Sequence, residues 1–287
     1  ARSKRLATGV QMLDLSVKKA YGSHPESMDL SPLGPKLKAS YGDVSGFKTP
    51  TYVGIEVEME KQTLPAATYL WKCIEDGSLK DVGKEYVSLP LKDEFVIYAL
   101  EEYEKGILKY NPKTEFSHRC SIHVHMDVTK LTVGQLRALM ATYLATENLF
   151  FALVQDHRIG NSYCYPLMDL CPVWEQFLPG ELSENYKYAA LNPHHLRDFG
   201  TLEFRQHGGT KDKKEILNWI ETILQLYRFV ESKNPLEVAA QINQLNTVSN
   251  YFEFIQEVFG KKANQFAGMR LYPMLRTNVT AAKVFLG

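Results

Sequence analysis

Three carboxylates stand at alternate positions in TYVGIEVEME, residues 51–60. They are Glu56, Glu58 and Glu60, with Gly54 in phase and Val53, Ile55, Val57 and Met59 between them. A strand throws successive side chains to opposite faces, so this row shares one face and the apolar residues share the other. Three like charges repel unless something positive lies opposite, and Mg²⁺ or Mn²⁺ held by carboxylate oxygens would relieve that repulsion. A solvated sheet face with Lys or Arg nearby fits the same residues. In SIHVHMD, His123 and His125 share a strand face with Ser121 and Asp127. Two imidazoles so placed can hold a common metal or ligand, or can be a hydrogen-bonded pair. In TLEFR, Glu203 and Arg205 fall on one face. That sets a metal ligand or acid beside a guanidinium suited to phosphate, or makes an ordinary surface ion pair. Asp76-Gly77-Ser78 followed by Glu85-Tyr86-Val87-Ser88 is a turn leading to a further carboxylate-bearing strand. Arg158 and Asn192 lie in a loop-rich stretch, where polar functional residues concentrate.

The elements that must position these residues are legible from periodicity. A strand is expected over 51–60, a short one over Tyr69–Cys73, another at KEYVSLPL closed by Pro90, one over Ser121–Val128, and one at FGTLEFRQHGG. Helical spacing of Phe95, Ala99, Leu100, Tyr103 and Ile107 predicts a helix over 92–107. Thr132 opens a long helix to about Gln155, and another runs from about Lys213 to Glu231. Residues 156–198 read as loops with many Tyr, and the tail contributes two or three helices. Three parts follow: an extension over 1–48, rich in Ser, Gly, Pro and Lys; a catalytic-type domain over 49–232; and a helical segment over 233–287 packed on that domain. The fold class expected is α+β, on a curved, mostly antiparallel sheet with flanking helices.

Bulk properties exclude some classes. At 287 residues, 45% hydrophobic and 23% charged, the chain can bury a substantial core. A formal net charge of zero disfavours a nucleic-acid partner. There is no run of roughly 18 apolar residues, and ARSKRLATGV has no apolar signal core, so the expected location is the cytoplasm, with no membrane partner. Cys73, Cys120, Cys164 and Cys171 form no C-x-x-C pair, which suits buried or incidental thiols in a reducing compartment. The P-loop, G-x-G-x-x-G and G-x-S-x-G signatures are absent from the sequence.

The ordered set is more informative than its members. GIEVEME, then DGSL and KEYVS, then IHVHMD, then LNPHHLRDFGTLEFR resembles the amidoligase branch of the carboxylate–amine ligase superfamily typified by glutamine synthetase, over about residues 52–230. The resemblance implies a glutamine synthetase-like catalytic sheet, ATP and Mg²⁺ (or Mn²⁺) as cofactors, and amide-bond formation through an acyl phosphate on an amino acid, peptide or protein. By position it implies metal ligands at Glu56, Glu58, Glu85, His123 and Glu203. Nucleotide contacts are implied at His123, His125, Arg205 and Asn192, and catalytic roles at Arg205, Arg158 and Glu85. Ser121 stands where relatives often carry Gly, and Glu60 extends the usual acidic pair without an assigned role.

Two rival readings use the same residues: an inactive nucleotide- or peptide-binding protein of this fold, and a metal-dependent hydrolase or phosphoryl transferase. The Tyr-rich loop over 163–188 and the N-terminal extension are the candidate substrate selectors. The apolar tail (Val238, Ile242, Leu245, Phe252, Phe254, Ile255, Val258, Phe259) suits internal packing or a subunit interface equally.

Overall fold

The alternation in GIEVEM is realised as β1, Val53–Met59, at the centre of a sheet. The computed structural model describes residues 12–22, 24–44, 46–62 and 67–287, so the N-terminal residues 1–11 of the predicted extension lie outside the described residues. Five further strands join β1: β2 (Trp71–Glu75), β3 (Lys84–Ser88), β4 (Ser121–Asp127), β5 (Leu191–Asn192) and β6 (Thr201–Gly208). They lie in the order β2-β3-β1-β4-β6-β5, every neighbouring pair antiparallel.

Register explains why the polar residues meet. Glu58 opposes Glu85, Glu56 opposes His123, Gly54 opposes His125, and His125 and Asn192 oppose Glu203 on adjacent strands. Directly opposed residues share a face, so the motifs project together from one side. The other side is apolar: Ile55, Val57, Ile122, Val124, Leu202 and Phe204 are fully buried. Helices cover it. In chain order the described helices are α1 (Val17–Tyr21), α2 (Gly34–Tyr41), α3 (Glu94–Glu102), α4 (Val133–Phe151), α5 (Lys213–Glu231), α6 (Pro235–Asn243), α7 (Val248–Phe259) and α8 (Leu271–Leu286). Of these, α4 and α5 meet β6 through Tyr143, Phe150 and Trp219. The Phe150 ring of α4 lies 6.3 Å from Phe204, 5.8 Å from Trp219 and 5.7 Å from Phe259, joining the sheet to α5 and α7. Burying each such side chain stabilises the fold by roughly 1.5–3 kcal/mol.

Thr132 does open α4. Its hydroxyl accepts from Gln135 N (3.1 Å), while the Gln135 side chain accepts from Thr132 N (3.0 Å). The helix stops at Phe151 rather than Gln155, and it is buried on nearly all sides because α6 and α8 cover what the apolar stripe leaves over. Its Glu147 is fully buried and accepts from Leu167 N (2.6 Å), Met168 N (3.0 Å) and the Tyr143 hydroxyl (2.8 Å). The predicted helix over 92–107 is α3 followed by a π-helical turn, Tyr103–Leu108, and the strand expected over Tyr69–Cys73 lies at 71–75. Most of the apolar tail is buried internally, including Val238, Ile242, Phe254, Ile255 and Phe259, whereas Phe252 is exposed.

β6 contains an irregularity that the alternation does not forecast. Val124 opposes Phe204 but Ile122 opposes His207, so Arg205 and Gln206 together face His123 in a β-bulge. Beyond it the phase inverts. Gln206 donates to the Tyr143 hydroxyl on the helix side, and the His207 ring lies 5.4 Å from Trp219.

Candidate active site

The acidic strand is not a solvated face. Glu58 and Glu60 are 9% and 5% exposed, and Glu56 is partly covered by the histidines of β4. Glu56 spans both imidazoles, with Oε2 3.1 Å from His123 Nδ1 and Oε1 3.1 Å from His125 Nε2. His123 Nδ1 is also 3.1 Å from Glu203 Oε1, so one nitrogen faces carboxylates from both flanking strands. Ser121 Oγ bridges Glu58 Oε2 and His123 Nε2 (2.8 Å from the latter), and Ser121 N donates to Glu58 Oε2 at 2.8 Å. Ser121 thus clamps the second carboxylate to the histidine. Glu60 caps the 76–80 turn by accepting from Lys80 N (3.0 Å), which supplies the role its sequence left open.

Glu203 is the most heavily bonded member. Arg205 NH1 donates to its Oε1 at 2.6 Å, Asn192 Nδ2 donates to its Oε2 at 2.6 Å, and His195 Nε2 lies 3.4 Å from Oε2. At 1% exposure this is no ordinary surface ion pair. Burial pushes the Glu203 carboxyl up, but His123, His195 and Arg205 outweigh it and hold it well below the usual carboxylate range. Glu56 is likewise pushed up by burial and then held low by its bonds to His123 and His125. The same Glu56 bond raises His125 against the lowering effect of burial. Glu85 goes the other way: burial, then the charges of Glu56 and Glu58, push it up to about 8.

Two groups of donors are close enough to hold a cation. Glu56, Glu85 and His123 present ligand atoms within 4.8 Å of one another, as do His125, His195 and Glu203. Oxygen-rich sets with one or two imidazoles suit a hard or borderline divalent ion, and the crowding that raises Glu85 is what such an ion would offset. The residues present therefore fit Mg²⁺ or Mn²⁺.

The sequence-derived residues divide by position. Glu56, Glu58, Glu85, His123, His125, Glu203 and Arg205 share the face. Asn192 is also there, but it is buried and its amide is engaged by Glu203 while its Oδ1 accepts from His194 N (3.0 Å). It orients a carboxylate. Arg158 differs from the expectation of a phosphate or substrate arm. It is 1% exposed, and its Nε and NH2 donate to the carbonyls of Gln206 (3.0 Å) and Arg205 (2.8 Å). A guanidinium spent on two backbone acceptors at the bulge braces the strand that carries Arg205. Sequence reading missed His195, whose only signal was its place three residues beyond Asn192 in the NPHH segment. Tyr163 was legible only as part of a Tyr-rich loop, and its carbonyl accepts from Arg205 Nε at 3.3 Å.

Beside the donors, at the end of the sheet marked by Gly54, Asp127 and Thr201, lies a cavity of about 510 Å³ that includes Glu56 and His125 in its wall. A six-stranded antiparallel sheet with helices on one face and a carboxylate–imidazole–guanidinium face on the other defines an α+β protein with an enzyme-like site. Residues 81–178 and 173–227 match the family described as "Putative amidoligase enzyme", together just over half of the chain. The chain belongs to this amidoligase family, and its membership points to ligase activity on a carboxylate and an amine. The match begins after β1, yet the sheet inserts β1 between the matched strands β3 and β4, so Glu56 and Glu58 complete the face. No curated protein matches the chain. Among the described residues no helix is long and apolar enough to cross a membrane.

Proposed function

We propose that the chain is an ATP- and Mg²⁺-dependent ligase that forms an amide bond through an acyl phosphate, on a sheet of the glutamine synthetase-like type. The observation that carries this is the convergence of two metal-capable donor groups with Arg205 bonded directly to one of their members, Glu203. A carboxylate resists attack by an amine because its leaving group is poor. Its oxygen instead attacks the γ-phosphorus of ATP, releasing ADP and leaving phosphate as a good leaving group on the acyl carbon. The amine nitrogen then attacks that carbon, phosphate departs, and the amine proton passes to a carboxylate of the face or to water. Divalent metal, held by Glu56, Glu85 and His123, and by Glu203 with His125 and His195, would offset phosphate charge. Arg205, fixed by Glu203 and only partly covered, is suited to the transferring phosphoryl, with Arg158 positioning it through the backbone. Four cysteines free of disulfides suit the cytoplasm.

The test is ATP turnover by the purified full chain with Mg²⁺ and a small-molecule extract, with products followed by mass spectrometry. The expected result is ADP and phosphate together with a new amide. Glu56→Gln and Glu203→Gln should abolish both while melting cooperatively. Unchanged turnover in the two variants refutes the site. ADP formed without an amide product favours a hydrolase.

A further inference from the structure

The cavity at the Gly54–Asp127 end is not accounted for by metal and phosphate chemistry. We propose that it binds the organic substrate, and that this substrate is a zwitterion: a free amino acid or a short peptide with its charged terminus inserted. The inference rests on the ligase reading, because it takes the nucleotide to approach from the Arg205 end.

Position comes first. Along β6 Thr201 lines the cavity, Glu203 lies next on that face, and Arg205 follows. At about 3.3 Å per residue, Thr201 and Arg205 are roughly 13 Å apart, with the metal-capable donors between them. A molecule in the cavity therefore meets Glu56 and His125 from the side opposite the phosphoryl arginine. Its volume of about 510 Å³ suits a small ligand.

The lining selects charge. Lys18 and Lys130 bring cations to the rim, and Glu26 and Asp127 bring carboxylates. Among the described residues Lys18, Lys130 and Glu26 have no ion-pair partner, which leaves them available to a ligand carrying both signs. Tyr52, Pro90 and Phe199 supply apolar wall. A nucleoside triphosphate fits badly here, since Glu26 and Asp127, which belong to neither metal-capable group, would repel its phosphates.

The wall from the N-terminal segment is built, not merely adjacent. Val17 N donates to Leu131 O (2.8 Å), and Lys18 N to Thr129 O (3.4 Å). His24 is 5% exposed, and its Nε2 donates to Leu196 O at 2.7 Å, pinning the segment that carries Glu26 to the loop before β6. Its Nδ1 is buried with no hydrogen-bond partner among the described residues. Lys18 and Glu26 lie outside the family-matched residues 81–227.

Calorimetric titration of the full chain decides it, using each proteinogenic amino acid and a panel of dipeptides, alongside a separate titration with Mg²⁺ and a non-hydrolysable ATP analogue. Saturable binding of at least one amino acid or dipeptide is expected. It should weaken about 10-fold or more in Lys18→Met and in Glu26→Gln, as loss of a charged hydrogen bond implies, while analogue binding stays unchanged. No binding by any zwitterion, or zwitterion binding indifferent to both substitutions, overturns the assignment. Loss of analogue binding in both variants also overturns it, because the cavity would then hold the nucleotide. If zwitterions bind as expected but the analogue never does, the cavity assignment stands and the ligase reading falls.

Discussion

Replacing Arg158 with Met separates a brace from a ligand arm. The guanidinium is 1% exposed and makes bonds of 3.0 and 2.8 Å to the carbonyls of Gln206 and Arg205. Each charged hydrogen bond of this kind contributes about 1.5–3 kcal/mol, and its removal leaves a buried carbonyl without a donor. Met keeps most of the apolar volume and removes the cost of burying a charge, which offsets part of the loss. The net expected destabilisation is about 2–4 kcal/mol, or about 4–8 °C in melting temperature at about 2 °C per kcal/mol for a chain of this length. Arg158→Lys restores the charge but not the two-pronged geometry, and should recover less than half of that. The assay is thermal denaturation followed by fluorescence, run beside ATP turnover. A variant that melts within about 1 °C of the parent yet has lost turnover would refute the bracing argument, because the side chain would then act on ligand rather than on the strand.

Three further outcomes are expected. Burial pushes Glu147 up to about 7, against the backbone bonds that favour its charged form, from an ordinary 4.5. Its contribution is therefore fully present below about pH 4.5 and is lost as pH rises through about 7, an effect on the order of 3 kcal/mol. Denaturation at about pH 5 and about pH 8 should show that slope flattened in Glu147→Gln, and an unaltered slope would sink the attribution. Gly200 has φ +68, and a Cβ there would lie 2.2 Å from Thr129 Cγ2 and 2.9 Å from His24 Nδ1. Gly200→Ala should cost about 2 kcal/mol or more in a thermal melt and loosen the cavity wall, and a neutral result would show that this wall yields freely. Ser121→Ala removes the hydroxyl that joins Glu58 to His123 and should destabilise by about 1.5–3 kcal/mol in urea, whereas stability equal to the parent would mean the clamp contributes nothing.

Much of this site was legible because strand periodicity is local. Glu56, Glu58, His123, His125 and Glu203 fall into phase from alternation alone, and the antiparallel register then brings their faces together. What alternation cannot supply is the partner. That Asn192 and His195 reach Glu203 depends on a two-residue strand too short to carry a period, β5, and on the loop that follows it. Arg158 was found in the right region but with its direction reversed, since a loop sequence does not say whether a guanidinium turns to solvent or to backbone carbonyls. The carboxylate row was equally compatible with a wet surface until burial was known. Helix α4 was recognised from its apolar stripe, but its all-round burial depends on α6 and α8, which arrive from a hundred or so residues later in the chain.

The bulge at Arg205 and Gln206 has a bearing on how such a donor set could change over time. Before it the functional face takes odd-numbered residues, and after it the face takes even ones, so Gly208 opposes Ser121 while His207 is directed toward Trp219. Removing one residue of chain there would restore simple alternation and leave His207 opposite Ile122, directed to the helix side as before. Closing the bulge at constant chain length would instead put Gln206 opposite Ile122 and bring the imidazole of His207 opposite Ser121, onto the carboxylate face. The extra residue in β6 thus keeps a histidine out of the donor set, and the bulge is as strong a determinant of the site's composition as the identity of its residues.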